Sequence, residues 1–200
     1  MRKFVALEFI SLDGVVQAPG GEQEDTSNGF EYGGWTYPLS DEFAGEAMSE
    51  QMSMPFDLLL GRKTYDIFAS YWPFQENQIG NLFNKAIKYV VSHDTIDLSW
   101  DKSILVKDNV VETLKKLRNE DGPILQIYGS SDLVQTLLKN DLIDELWLKI
   151  FPVTLGNGKR LFGEGTIPVA FELAEFKVSP MGVIFASYKR AGEVKTGTFE

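Results

Sequence analysis

One glycine-centred turn carries two cations where a helix is predicted to begin. The stretch "LLLGRKTYDIF" (58–68) runs three leucines into Gly61, and Arg62, Lys63 and Thr64 follow before a helical pattern. Cations are unfavourable at a helix N-terminus, which carries partial positive charge, unless an anion offsets them. The glycine lets the backbone approach a ligand, and the first N–H groups of the helix point at an anion. The turn therefore predicts a phosphate site; the simpler interpretation is that both cations extend into solvent.

A second turn of the same kind follows another apolar run. In "IYGSSDLVQTLL" (127–138), Gly129, Ser130 and Ser131 come between a predicted strand and a predicted helix. Ligands of open α/β sheets bind beyond the carboxyl ends of the strands. Together the two turns predict sites for two phosphates, or for the two ends of one pyrophosphate.

The stretch "YVVSHD" (89–94) ends a third predicted strand and adds two polar side chains. Ser92 and His93 are suited to contact a phosphate or a base. An exposed loop position is the preferred interpretation of His93 from the sequence alone. Asp94 beside it is unfavourable for an anion.

Apolar runs alternate with helical patterns along the chain. The early runs are continuous, as in strands covered on both faces, whereas the last two are closer to alternating and suggest an antiparallel hairpin. Strand–helix–strand alternation predicts a three-layer α/β/α fold whose central sheet is mostly parallel, with antiparallel strands at the C-terminal end. One domain is expected over residues 1–190, followed by a polar tail, 191–200. The predicted strands are 3–10, 57–61, 88–92, 104–106, 124–129, 145–153, 171–179 and 182–190, and the predicted helices are 40–52, 64–72, 109–119 and 131–140.

The composition limits the class of protein. The 200 residues are 44% hydrophobic and 12% aromatic, enough for a packed core. A formal charge of −10 argues against binding to nucleic acid or an anionic membrane. The chain has no cysteine and one histidine, so neither a disulfide framework nor a metal site is predicted. It shows neither a signal peptide nor a run of about 18 apolar residues, so a cytoplasmic location is expected.

Five motifs occur in an order that resembles a known superfamily. They are "SLDG" (11–14), "LLLGRKTYDIF", "KYVVSH" (88–93), "IYGSSDLVQTLL" and "DELWLKIFPVTLGNGKRLF" (144–162). In this order they resemble the dihydrofolate reductase-like superfamily, and more closely its branch with the reductase domain of the bifunctional riboflavin-biosynthesis deaminase–reductase. The fused deaminase domain with its zinc motif has no counterpart here, because the chain lacks cysteine. A stand-alone reductase domain is therefore implied.

The resemblance implies a cofactor and a reaction. Proteins of this superfamily bind NADPH across the carboxyl ends of the strands. The chain would then be an NADPH-dependent reductase of a pterin-like or ribosylaminopyrimidine-like heterocycle, acting as a 5-amino-6-(5-phosphoribosylamino)uracil reductase or like dihydrofolate reductase. The two glycine turns would hold the pyrophosphate, and Ser92 and His93 would flank the adenosine end with its 2′-phosphate.

The resemblance also assigns residues to the substrate end. Asp13 of "SLDG" lies there in the riboflavin-pathway reductases, although Asp-Gly is also a common turn pair. Gly14 and Val15 open a long glycine-rich loop, 13–35, which in the family covers the nicotinamide, so a lid is expected. The loop with Gly156 and Gly158 is implied to lie near the substrate or the nicotinamide.

A proton donor is harder to assign. Dihydrofolate reductases use a carboxylate on the helix before the "GRKT" strand. The matching position in this chain falls near Gly45, with Glu42 and Glu46 beside it. Because no carboxylate clearly occupies that position, the case for folate reduction is weakened. Lys159 and Arg160 are candidates for gripping a ribose phosphate, although a solvated pair is the preferred interpretation.

Two questions stay open at this point. A non-catalytic nucleotide-binding or interaction protein on the same fold is the alternative function, because the helix carboxylate is not clearly found. The apolar strands "ELWLKIF" and "VIFASY" fit either core packing or the face of a homodimer.

Overall fold

A computed structural model describes residues 1–129 and 131–199. Over these residues, eight strands form one sheet in the order β4-β3-β2-β5-β1-β6-β8-β7. The strands are β1 (Phe4–Ser11), β2 (Phe56–Gly61), β3 (Lys88–Val91), β4 (Ser103–Val106), β5 (Ile124–Tyr128), β6 (Glu145–Phe151), β7 (Ala170–Val178) and β8 (Ile184–Gly192). The helices are α1 (Glu42–Gln51), α2 (Arg62–Tyr71), α3 (Gln78–Lys85), α4 (Val110–Asn119) and α5 (Ser131–Lys139).

The sheet is parallel from β4 to β6 and becomes antiparallel at its last two strands. β1 pairs with β5 and β6 in parallel, whereas β8 pairs with both β6 and β7 in antiparallel register. The carboxyl ends of β1, β2 and β5 therefore lie side by side at one edge of the sheet. The predicted mixed α/β/α fold is confirmed.

Helices cover both faces of the sheet, because its central strands carry mostly apolar side chains on both faces. On one face Leu114 of α4 and Leu137 of α5 are fully buried against alternate residues of β1, β2 and β5. On the other face, Tyr65 of α2 and Phe83 of α3 pack against the remaining residues of these strands. None of the helices in the described part of the chain is long and apolar enough to cross a membrane.

The helix α3 was missed by the sequence analysis because Gly80 and two asparagines obscure its pattern. Asn77 caps it by accepting a hydrogen bond from the Gly80 N–H at 2.9 Å. A Cβ at Gly80 would stand 2.5 Å from the Gln75 carbonyl oxygen, so glycine is required there. Phe83 anchors the helix by stacking on Phe68, with ring centres 5.8 Å apart. Tertiary packing thus outweighs weak helix propensity.

The edge strand β7 leaves apolar side chains exposed. Leu173, Phe176 and Val178 are 47%, 61% and 51% exposed. Exposed apolar residues of an edge strand are compatible with the homodimer face that the sequence analysis gave as one of two alternatives, and the homodimer stays a prediction.

Candidate active site

A cavity of about 300 Å³ opens at the carboxyl ends of β1, β2 and β5. Leu7, Glu8 and Phe9 of β1 form its floor, and the turns after β2 and β5 form one side. The loop 13–35 contributes several lining residues from the opposite direction. The cavity therefore lies where ligands bind in open α/β sheets.

The two predicted glycine turns meet at this cavity. Gly129 has a φ of +54°, and a Cβ added to it would stand 3.4 Å from the Thr64 hydroxyl oxygen. Thr64, Gly129 and Ser131 all line the cavity, at the beginnings of α2 and α5. Ser130, the remaining residue predicted for this turn, lies outside the described residues. The space that a side chain at Gly129 would fill is thus left open beside two helix N-termini, as a bound phosphate needs.

The anion beside Lys63 in this structure is a carboxylate of the chain itself. The Lys63 ammonium donates to Oδ1 of Asp25 at 2.5 Å, and the Lys159 ammonium donates to Oδ2 at 2.8 Å. Burial alone would raise the pKa of Asp25, but hydrogen bonds from Lys159, Lys63 and Ser27 hold it well below its usual range. Lys63, Asp25 and Lys159 all line the cavity, and we call these three residues the clamp.

Other residues predicted for the cofactor site lie further out. Gly61 is the buried last residue of β2, and the exposed Arg62 donates to Asp66 at 2.9 Å along α2. Ser92 is buried beyond β3 and accepts from the Asp94 N–H at 3.1 Å, whereas His93 is exposed. Within the described lining of the cavity, Lys63 rather than Arg62 supplies the charge at this turn.

Hydrogen bonds and buried aromatic residues hold the loop 13–35 in place. The Trp35 indole N–H donates to the Gln17 carbonyl at 2.8 Å, and Phe30 is buried. The Gln17 amide in turn donates to the carbonyls of Asp25 and Ser27, each at 3.0 Å. The loop therefore has a fixed conformation in which its residues 16–20, 24 and 25 line the cavity.

Asp13 holds two loops together. Its carboxylate accepts from the Ser11 hydroxyl at 2.6 Å and from the N–H groups of Leu155 and Gly156 at 3.1 and 2.8 Å. The Ser11 hydrogen bond is the largest influence that lowers the pKa of Asp13, to about 2, with the two N–H groups adding to it against partial burial. Asp13 stands outside the described cavity lining, so its catalytic role stays a prediction while its anchoring contacts are observed.

The start of the loop 13–35 and the loop 156–160 pair directly. Val15 and Arg160 form an isolated antiparallel bridge, and the Gly14 carbonyl accepts from the Leu161 N–H at 3.0 Å. Gly158 has a φ of +134°, and a Cβ there would stand 2.6 Å from a methyl carbon of Val15. Gly158 is thus required by close packing against Val15, whereas Gly156 has a φ of +75° and open space around it.

The helix α1 and the residue after it place methionine side chains, and not carboxylates, at the cavity. Glu42, Gly45 and Glu46 are exposed, and Met48 with Met52, just past the end of the helix, lines the cavity. The side of α1 that carries the acids is turned to solvent, because its apolar residues are the ones that pack on the sheet. Glu42 and Glu46 are therefore not brought to the cavity.

The sequence analysis missed the most deeply buried acid of the cavity. Glu8 is 5% exposed and lines the cavity. Burial raises its pKa to about 8, against the opposing influence of the Gly129 N–H and the charge of Lys149. The signal was present in "FVALEFIS", where one acid interrupts a continuous apolar strand.

A sheet of this order with a cavity at the carboxyl ends of its parallel strands defines a dihydrofolate reductase-like domain. The chain belongs to the RibD C-terminal domain family, whose model matches residues 2–185. Two curated relatives from Bacillus subtilis strain 168 are similar to it. The uncharacterized protein YyaP is 26% identical over 94% of both chains, and the uncharacterized protein YwjB is 27% identical over 82% of this chain and 85% of its own.

The solved structures that share the fold include the following three. A putative riboflavin biosynthesis protein from Shewanella sp. PV-4 matches with a TM-score of 0.64 at 22% identity, covering 94% of this chain and 99% of its own. A pyrimidine reductase-like protein from Corynebacterium diphtheriae matches with a TM-score of 0.63 at 15% identity, covering 96% and 93%. Dihydrofolate reductase from Enterococcus faecalis, complexed with NADP(H) and RAB-propyl, matches with a TM-score of 0.59 at 15% identity, covering 94% and 96%.

Proposed function

We propose that this protein is an NADPH-dependent reductase that transfers a hydride to a pterin-like or ribosylaminopyrimidine-like heterocycle. The observation that carries the proposal is the convergence of two glycine turns and Lys63 on one cavity at the carboxyl ends of the strands. The membership of the RibD C-terminal domain family supports a reductase. The structure of the E. faecalis enzyme with NADP(H) on the same fold supports the choice of cofactor.

The residues present suit a dinucleotide. Thr64, Gly129 and Ser131 would hold the pyrophosphate, because an unfilled position at Gly129 adjoins the starts of two helices. Ser92 and His93, one strand further along the sheet, would lie at the adenosine end. When bound, NADPH supplies the hydride, and the protein supplies orientation and a dry environment.

The rest of the cavity suits a flat heterocyclic substrate. Phe9, Phe68 and Trp72 provide aromatic walls, and Met48 and Met52 provide an adaptable apolar side. Such walls bury a ring while the loop 13–35 limits access of water.

Cofactor binding is tested by titrating the protein with NADPH and following tryptophan fluorescence, since Trp72 lines the cavity. We expect saturable quenching that Gly129→Ala weakens, because the added Cβ fills the cradle. Gly45→Ala, on the exposed side of α1, is the matched control and should bind as the native chain does. Lack of binding at near-millimolar NADPH would refute the proposal.

A second function is favoured by one observation. Met48 and Met52 occupy the cavity wall on the side where dihydrofolate reductases place a carboxylate, which is compatible with a nucleotide-binding protein that lacks turnover. Tight NADPH binding with no reduction of folates, pterins or riboflavin precursors would favour this alternative over the reductase.

A further inference from the structure

Glu8 is a buried carboxyl group in the floor of the cavity. It lies near the carboxyl end of β1, between Leu7 and Phe9, and all three residues line the cavity. An ionised carboxylate buried in such surroundings is strongly unfavourable unless it is paired. The position therefore favours a neutral, protonated side chain that can donate a hydrogen bond or a proton.

The groups around Glu8 support this protonation state. Burial raises the pKa of Glu8 to about 8, and the Gly129 N–H and the charge of Lys149 act in the other direction. Lys149, whose ammonium lies 5.1 Å from the centre of the Phe9 ring, is itself buried, and burial lowers its pKa to about 8. The other charged side chains that line the described cavity are Glu24, Asp25, Lys63, Asp132 and Lys159.

Two of the other acids are already engaged. Asp25 is ionised and paired with both lysines of the clamp. Glu24 accepts from the Gly20 N–H at 2.6 Å within the loop 13–35. Burial also raises the pKa of Glu24, but its carboxyl group is bound by the Gly20 N–H, whereas Glu8 is more deeply buried and its pKa is raised to about 8.

The proposed reaction creates a need for such a group. Reduction of a C=N or C=O bond by a hydride leaves an electron pair on the heteroatom, and that atom must be protonated. The side of the cavity at α1 offers only thioethers through Met48 and Met52, which cannot donate a proton.

We propose that the Glu8 carboxyl group is the proton donor of the reduction, an assignment that rests on the proposed reductase function. The carbon of the double bond accepts the hydride, the π electron pair moves to the nitrogen or oxygen, and this atom takes the Glu8 proton. The carboxylate that remains is stabilised by the Gly129 N–H and by Lys149 until a proton from water restores the acid. When bound, NADPH would supply the hydride with its two electrons, and these account for the reduction of the C=N or C=O bond.

The test compares cofactor binding with turnover in Glu8→Gln. The variant keeps the shape of the side chain but has no acidic proton to transfer. The probes are NADPH with 5-amino-6-(5-phosphoribosylamino)uracil and NADPH with dihydrofolate. We expect the dissociation constant of NADPH to stay within about threefold while kcat falls by about 10² to 10⁴. Glu8→Asp should recover part of the rate, and Glu46→Gln, on the exposed side of α1, should match the native chain.

The pH profile separates a proton donor from a structural residue. The native enzyme should lose kcat/KM above about pH 8, as Glu8 ionises, and Glu8→Gln should lack this limb. Lys149→Met removes a charge that favours the carboxylate, so the limb should move to higher pH. If the limb instead disappears in Lys149→Met and persists in Glu8→Gln, Lys149 is the titrating group and the assignment of Glu8 is wrong.

The outcomes distinguish the two proposals. Turnover by the native chain with equal turnover by Glu8→Gln overturns the role of Glu8 and leaves the reductase function intact. A native chain that binds NADPH but reduces neither probe counts against the reductase function and removes the role of Glu8 with it. A native chain that fails to bind NADPH overturns both at the first step.

Discussion

The Lys63 ammonium and the Asp25 carboxylate lie 2.5 Å apart and join the start of α2 to the loop 13–35, and both residues line the cavity. Asp25 therefore supplies the negative charge that the cation at this helix start requires. The same carboxylate binds Lys159, so one side chain links the loop 13–35, α2 and the loop 156–160. A phosphate that approaches Lys63 has to share the cation with Asp25 or displace it.

Removal of the Asp25 charge should tighten the binding of phosphate-containing ligands. In Asp25→Asn, Lys63 and Lys159 lose a competing anion, and the neutral amide can still accept from Ser27. We expect the dissociation constant of NADPH to fall about tenfold, since one unit charge nearby is worth about 1 kcal/mol or more. Fluorescence titration measures it. Asp66→Asn, which removes the partner of Arg62 on α2, is the control, and weaker binding by Asp25→Asn would contradict the prediction.

The two adjacent cations of α2 should differ in their effect on cofactor binding. Lys63 lines the cavity, whereas Arg62 pairs with Asp66 in solvent. We expect Lys63→Met to weaken NADPH binding by about 1.5 to 3 kcal/mol, the value of a hydrogen bond to a charged group. Arg62→Met should change it by less than about 0.5 kcal/mol. Isothermal titration of both variants checks this, and equal losses would show that the turn acts through net charge alone.

The sequence predicts the fold and the meeting of the two glycine turns better than the other contacts of the cavity. Strand–helix alternation and the paired glycine turns are local patterns, and Lys63, Thr64, Gly129 and Ser131 do lie together at the cavity. The partner of Lys63 was not predictable, because Asp25 lies 38 residues away in sequence within an irregular loop. Contacts of this kind depend on how the loop packs, which composition does not reveal.

Sequence patterns also did not reveal the role of buried charged side chains. In the sequence Glu8 is a single acid within an apolar strand, and only its burial beside the cavity reveals that its pKa is perturbed. Conversely, Glu42 and Glu46 matched an expected helix, but the rotation of α1 about its axis turns them to solvent. The sequence position of a residue indicates which helix it belongs to, but packing decides whether its side chain faces the cavity.

Gly158 should tolerate no side chain. A Cβ there would overlap a methyl group of Val15, and its φ of +134° is strained for any other residue. We expect Gly158→Ala to lower the free energy of unfolding by about 2 to 4 kcal/mol, the sum of backbone strain and overpacking. Urea denaturation measures this change. Gly45→Ala, with open space around its Cβ in α1, should instead stabilise the chain by about 0.5 to 1 kcal/mol.

Asp13→Asn should loosen the junction of the two loops. One carboxylate oxygen becomes an amide donor that faces the N–H of Leu155 or Gly156, so an accepted hydrogen bond is replaced by a repulsive contact. We expect a loss of about 1 to 3 kcal/mol in the free energy of unfolding. Faster amide hydrogen exchange at residues 155–160 would localise the effect. A fully stable variant with no turnover would instead support a catalytic role for Asp13.

Burial of Glu8 should also make the stability of the protein depend on pH. Its pKa rises from about 4.5 in the unfolded chain to about 8 in the folded protein, so between these values the folded state binds more protons. The free energy of unfolding should therefore fall as pH rises from about 4.5 to 8, by at most about 1.4 kcal/mol per unit. Urea denaturation across this range should show the decline in the native chain and a flatter profile in Glu8→Gln. Equal slopes in both would mean that Glu8 is ionised in the folded state, and would remove the basis for its assignment as a proton donor.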